Sequence, residues 1–139
     1  MKYFIHADGG ARGNPGPSGA GAVIRDEYGS TIAMVSAFLG RQTNNFAEYE
    51  AVIRAFDELL RIVPESKRSK ADVVVKMDSE LVVKQMNREY KVKHPHLKEQ
   101  QARLVQHAGA FRSVTFTHVP RAQNSDADAL ANEAMDRGA

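Results

Sequence analysis

The spacing of apolar residues changes once along this chain, and the change restricts the folds open to it. Before residue 45 the apolar runs are short and strand-like, at residues 3–7, 20–25 and 31–39. Between them lie a glycine-rich turn, Gly9-Gly10-Ala11-Arg12-Gly13-Asn14-Pro15-Gly16-Pro17, and a hairpin turn, Asp26-Glu27-Tyr28-Gly29. Three strands joined by short turns predict an antiparallel meander. From Asn45 the period becomes helical: Phe46, Tyr49, Val52, Ile53, Phe56, Leu59 and Leu60 share one face until Pro64 ends the run.

Residues 73–77 then form a continuous apolar strand, a pattern that predicts burial on both sheet faces. Leu81, Val82, Gln85 and Met86 suggest a short helix. Pro95 suits the first position of another, carried on through Leu97, Leu104 and Val105. A last strand at 114–117 and a last helix at 126–135 complete the order βββαβααβα. That order predicts an α/β fold with a five-stranded mixed sheet, antiparallel first and parallel at the end, with helices on both faces.

A chain of 139 residues fits one domain, expected to span residues 1–139, and no repeat or low-complexity segment divides it. There are no cysteines, which excludes disulfides, thiolate metal sites and a cysteine nucleophile. The longest apolar runs are strand-sized and no charged–apolar leader opens the chain. The expectation is a cytoplasmic protein without membrane attachment. A formal charge of +2 permits nucleic-acid binding without demanding it.

The chemistry is carried by acids. Asp8 closes the first strand and Asp78 the fourth, so neighbouring strands would present both carboxylates at one sheet edge. Glu48 falls in the first turn of the first helix and Asp128 in the first turn of the last. Hard carboxylate oxygens of this kind hold divalent ions, and two ions about 4 Å apart can activate water and stabilise a leaving oxygen. Each acid also has a purely structural reading. Residues 45–48 and 125–128 resemble capping boxes, Asp78 could cap the following helix, and Asp8 could hold an Asx-turn. Four acids from four elements meeting at one site is the economical alternative to four coincidences.

The surrounding residues give that site a family. Asp8-Gly9-Gly10 with Gly13-Asn14-Pro15-Gly16-Pro17, Thr43-Asn44-Asn45-Phe46-Ala47-Glu48, Asp78-Ser79, and Asn124 with Ala127-Asp128-Ala129-Leu130-Ala131 together resemble ribonuclease H type 1, in order and over nearly the whole chain. The resemblance implies an RNase H-like fold and an endoribonuclease that cuts the RNA strand of an RNA/DNA hybrid without sequence preference, forming no covalent intermediate and leaving 5′-phosphomonoester ends. It implies Asp8, Glu48, Asp78 and Asp128 as catalytic ligands of two Mg²⁺ ions, with Mn²⁺ as an alternative. Asp126 is a rival for the last ligand. Two helical residues two apart differ by roughly 200° in direction, so only one can face the site. The family's Asp-x-Leu-Ala pattern picks Asp128.

By the same resemblance His118, ten residues before Asp128, is the mobile histidine that assists proton transfer or product departure. An imidazole titrating at about 6.5 suits the task. His6, His94, His96 and His107 fit no such pattern and are expected to be structural or solvated.

Hybrid recognition would be by shape, through the backbone and 2′-hydroxyls in the minor groove. Gly9 and Gly10 would allow close approach of the main chain, since neither has a Cβ. Asn14, Asn44 and Asn45 would bond riboses and base edges, although Asn44 and Asn45 could equally cap the first helix. Arg41 and Thr43 resemble the family's pocket for a DNA-strand phosphate, with Arg41 able to donate bidentately. The basic, tryptophan-bearing helix of well-known bacterial members is missing. There is no tryptophan in the chain, and the corresponding stretch carries Lys91, Lys93, His94 and Lys98, with Tyr90 the nearest aromatic. The chain thus resembles the short subgroup without that protrusion or an appended hybrid-binding domain, and a monomer is expected. Activity on double-stranded RNA is left open.

Three other readings are weaker. An exonuclease or junction resolvase on the same sheet would not be expected to carry the Asn-Asn pair before Glu48. A binding module without activity has no need of clustered acids that repel one another. A glycosidase needs two carboxylates, but also aromatic platforms for sugar stacking, for which this chain has too few aromatics.

Overall fold

The computed structural model describes all 139 residues. Its strands are β1 (Lys2–Ala11), β2 (Gly16–Asp26), β3 (Thr31–Gln42), β4 (Asp72–Met77) and β5 (Ser113–His118). Its helices are α1 (Asn44–Ile62), the single turn α2 (Glu65–Arg68), α3 (Glu80–Met86), α4 (Pro95–Ala108) and α5 (Ser125–Arg137), and a 3-10 turn at Arg121–Asn124 leads into α5. The sheet order is β3-β2-β1-β4-β5, antiparallel across β1, β2 and β3 and parallel from β1 to β5. The expected α/β fold and mixed five-stranded sheet are therefore present. No helix is long and apolar enough to cross a membrane.

The two sheet faces are covered unequally. Helix α1 lies on one face with α3 and α4 against it, while α5 lies on the other, over β1, β2 and β3. Tyr49, Val52, Ile53, Phe56 and Leu59 of α1 are buried against Ile5, Ile24, Val73, Val75 and Met77 of the sheet. Because α5 does not extend over the β4–β5 half, β4 is not buried on both faces as its apolar run suggested. Val73, Val75 and Met77 are buried, whereas Asp72, Val74 and Lys76 are half-exposed. The alternation is the period of two that a one-sided strand must show.

Missing side chains set how closely the helices approach. A Cβ on Gly9 would stand 2.2 Å from the Ala47 carbonyl of α1. On the opposite face, a Cβ on Gly21 would stand 2.2 Å from the Ala127 oxygen of α5, and one on Gly19 would stand 2.5 Å from the Ala131 oxygen. Real Cβ atoms do not tolerate such contacts, so both helices rest directly on glycine backbone.

Candidate active site

Strands β1 and β4 run parallel, and their last paired residues are Ala7 and Met77. Asp8 and Asp78 are the next residues on each, so they leave the ladder side by side. Asp8 does not close its strand: β1 continues to Ala11 paired with β2 alone, with Asp8 opposite Gly21. A ladder position, rather than an Asx-turn in the glycine loop, holds it. Ser79 caps α3, its hydroxyl accepting from the Val82 N–H, which frees Asp78 from that task.

Glu48 reaches the same place from α1. The cap of that helix is Thr43, whose Oγ1 accepts from the Phe46 N–H at 3.2 Å, so Asn45 is not the cap and Glu48 lies in the second turn. Instead of closing a capping box, Glu48 accepts from the Gly9 N–H through Oε2 at 3.1 Å. Oxygens of Asp8, Glu48 and Asp78 all lie within 4.8 Å of one another.

Helix α5 brings the fourth acid. Asp128 lies beside Asp8, and its Oδ1 is 3.6 Å from the Arg121 guanidinium. Asp126 is turned away and pairs with Arg25 at 2.7 Å. The start of α5 is not a capping box either: the Asn124 side chain makes no cap bond, and instead its Nδ2 donates to Asp78 Oδ1 at 3.2 Å. An open cleft of about 320 Å³ is lined by Asp8, Glu48, Asp78 and Asp128 together with Gly10, Asn44 and Arg121.

So many like charges in one place distort their titration. Burial, then the charges of Asp78 and Asp128, push the Asp8 carboxyl up to about 8. Glu48 is held well above the usual carboxylate range by burial first and then by Asp8 and Asp78, with the Gly9 N–H opposing. A cluster in this condition suits a cation: all donors are hard oxygens, and positive charge would relieve the repulsion.

The comparisons agree with the geometry. A family model described as reverse transcriptase-like matches residues 6–134. The bifunctional protein Rv2228c of Mycobacterium tuberculosis is 43% identical over 140 residues, covering all of this chain and 37% of that protein. Its N-terminal RNase H domain, solved as a fusion with maltose-binding protein, superposes with a TM-score of 0.90 at 42% identity, covering 98% of this chain and 100% of that one. This chain belongs to the type 1 ribonuclease H family. LC11-RNase H1, isolated from compost by a metagenomic approach and solved in complex with an RNA/DNA hybrid, is 46% identical with a TM-score of 0.87, covering 97% of each chain. The chain spans little more than a third of the length of the Mycobacterium relatives.

Within this ribonuclease H fold the remaining expected residues fall into two groups. Asn14, Asn44 and the end of β1 are locked together: Asn14 Oδ1 accepts from the Asn44 N–H at 3.1 Å, and Asn44 Oδ1 accepts from the Ala11 N–H at 2.8 Å. Neither amide nitrogen donates to a protein partner, and both residues are exposed. A second pocket, about 430 Å³, lies between this loop and α4, lined by Asn14, Thr43, Asn45, His94 and His96 among others. Arg41 is exposed on β3 opposite Pro17 and does not line that pocket. The room that Gly9 makes is taken by α1, whereas a Cβ on Gly10 would meet only the end of Met135, at 3.6 Å.

His118 ends β5, exposed and in register with Met77, one residue before Asp78. It stands beside the cleft rather than in its wall. Sequence reasoning missed Arg121 and gave no role to Asn124. His94 and His96, expected to be structural or solvated, are both exposed and line the second pocket. His94 does have a structural role, since its Nδ1 accepts from the His96 N–H and caps α4. Its place directly before Pro95, the first residue of α4, was the available signal.

Proposed function

We propose that this chain is a single catalytic domain, residues 1–139, that hydrolyses the RNA strand of RNA/DNA hybrids endonucleolytically and without sequence preference. The observation that carries the reading is the convergence of Asp8, Glu48 and Asp78 oxygens within 4.8 Å at the end of the parallel β1–β4 pair, with Asp128 alongside. These four carboxylates would hold two divalent ions, Mg²⁺ in the first instance, with Mn²⁺ as a substitute. Such ions supply Lewis-acid polarisation of the phosphate and lower the pKa of the attacking water. The complex of LC11-RNase H1 with a hybrid supports the substrate class.

The chain's own residues divide the rest of the work. Gly10 and Asn44 line the cleft beside the carboxylates and Asn14, bonded to Asn44, lines the second pocket, so that their backbone and amide N–H groups would meet ribose hydroxyls and base edges. Thr43 accepts a hydrogen bond in capping α1 and keeps its own hydroxyl proton to donate toward a DNA-strand phosphate, with Asn45 beside it. Arg41, outside that pocket, contributes charge along the same strand. His118 carries a proton to or from the departing group.

Cleavage of an end-labelled RNA strand, free and paired with DNA, in Mg²⁺ and in chelator, tests the reading. Metal-dependent cutting of the hybrid alone is expected, and a well-folded sample that cuts nothing would leave a hybrid-binding module instead. His118→Ala should lower kcat about a hundredfold with little change in KM. A loss as complete as that from removing a carboxylate would make His118 obligatory. Arg41→Ala should weaken hybrid binding and make the slope of log K against log salt shallower by about one contact. An unchanged slope removes Arg41 from phosphate recognition.

A further inference from the structure

Asp78 is the first residue beyond the β1–β4 ladder, and its Oδ1 accepts a hydrogen bond from Asn124 Nδ2. The same nitrogen donates to the Ala7 carbonyl at 2.8 Å. Both hydrogens of the amide are thereby used, and Asn124 ties the end of β1 to the residue after β4 from the threshold of α5. Asn124 is only 1% exposed. Its orientation is fixed by chemistry: turned over, its oxygen would face two acceptors and no donor.

The other end of the carboxamide is equally informative. Asn124 Oδ1 is buried without a protein partner, and so is His6 Nδ1. Both residues face a cavity of about 40 Å³ lined by His6, Arg25, Gln123, Asn124, Ser125 and Asp126, with no apolar side chain. A space of this size with two waiting polar atoms suits one ordered water.

We propose that Asn124 is a positioning residue for Asp78, and that a single ordered water shared by Asn124 Oδ1 and His6 Nδ1 keeps its carboxamide in register. The proposal rests on Asp78 being a metal ligand. By donating to Oδ1, Asn124 sets the plane of the carboxylate. Its loss allows Asp78 to rotate, which weakens the cation site without touching any surface that binds nucleic acid.

The test is Mg²⁺ and Mn²⁺ binding by titration calorimetry in the absence of hybrid, together with kcat and KM for the hybrid. The variants are Asn124→Ala, the near-isosteric Asn124→Asp and a control, Ser36→Ala. Ser36 Oγ donates to the Leu130 carbonyl of α5 and reaches no carboxylate, so its removal loosens the same helix elsewhere. Both Asn124 variants should lose about tenfold or more in metal affinity. Their kcat should fall with KM unchanged, while Ser36→Ala keeps wild-type metal affinity. Wild-type affinity in a folded Asn124→Ala, or an equal loss in Ser36→Ala, overturns the proposal.

If wild type itself bound no divalent ion, the metal reading would fall and this proposal with it, a result distinct from either of those. Nuclear magnetic resonance of the unmodified protein gives an arm that no folding defect can obscure. The Asn124 side-chain amide should shift with Mg²⁺ at the same midpoint as the Asp78 backbone amide. It should also show magnetisation transfer from a long-lived water. An amide indifferent to Mg²⁺ overturns the positioning role, and absence of the water signal overturns its hydration.

Discussion

Asp78→Asn leaves the protein folded and cleavage of the hybrid lower by about a thousandfold or more. The substitution preserves the shape of the side chain, and an asparagine oxygen can still accept from Asn124 Nδ2, so the link to β1 and α5 survives. What goes is one of three carboxyl groups whose oxygens converge within 4.8 Å. A carboxamide offers a weaker ligand than a carboxylate to a hard divalent ion. The check is a single-turnover assay with Mg²⁺, beside a circular-dichroism melt to show that the variant is native. Cleavage at the wild-type rate would remove Asp78 from the metal site and, with it, the account of the cleft as a nuclease centre.

The second large effect is on stability, and it runs against activity. Asp8 titrates at about 8 in the folded protein because it is buried beside Asp78 and Asp128, whereas an unfolded aspartate titrates near 3.8. A carboxyl raised in the folded state contributes stability that is fully present below about pH 4 and is lost as pH rises toward 8. Metal-free protein at pH 8 therefore carries close to the full penalty of a buried, crowded charge. Asp8→Asn removes that charge and should raise stability there by on the order of 3 kcal/mol. For a chain of this length that is roughly 10 °C in Tm.

Wild type, by contrast, should gain about 2.7 kcal/mol from Mg²⁺ at a hundred times its Kd, an addition that Asp8→Asn forgoes along with all cleavage. Thermal melts at pH 5 and pH 8, with Mg²⁺ and with chelator, check both halves. A metal-free wild type as stable at pH 8 as at pH 5, with no response to Mg²⁺, would mean that the acids neither repel nor bind as described.

Much of this was legible in the residues. The change of period near residue 45 gave the helix and strand order, and residues 3–7 and 73–77 were recognisable as the strands that carry Asp8 and Asp78. What escaped has physical causes. The extension of β1 through Gly9, Gly10 and Ala11 was hidden because glycine is poor strand material, and its pairing with β2 is a tertiary fact. Thr43, Asn44 and Asn45 are three successive residues able to cap a helix, and sequence alone does not choose among them. Choosing Asn45 moved Glu48 into the first turn and offered it a capping partner it does not have.

Helix α2 is one turn long, too short to show a period. The choice of Asp128 over Asp126, by contrast, needed only the helical repeat and the family pattern. In the structure Asp128 lines the cleft, whereas Asp126 pairs with Arg25.

The seating of α5 on Gly19 and Gly21 gives the fourth acid an unusual mechanical character. Asp128 is carried by a helix whose height above the sheet is set where its main chain, at Ala127 and Ala131, meets the main chain of Gly21 and Gly19. Repacking the apolar core elsewhere can alter stability while leaving that height unchanged. A single methyl group on β2 would jack the helix outward and carry Asp128 away from Asp8. For anyone redesigning this scaffold, the two glycines are a calibration shim, and the reach of the centre would be tuned there before any acid was touched.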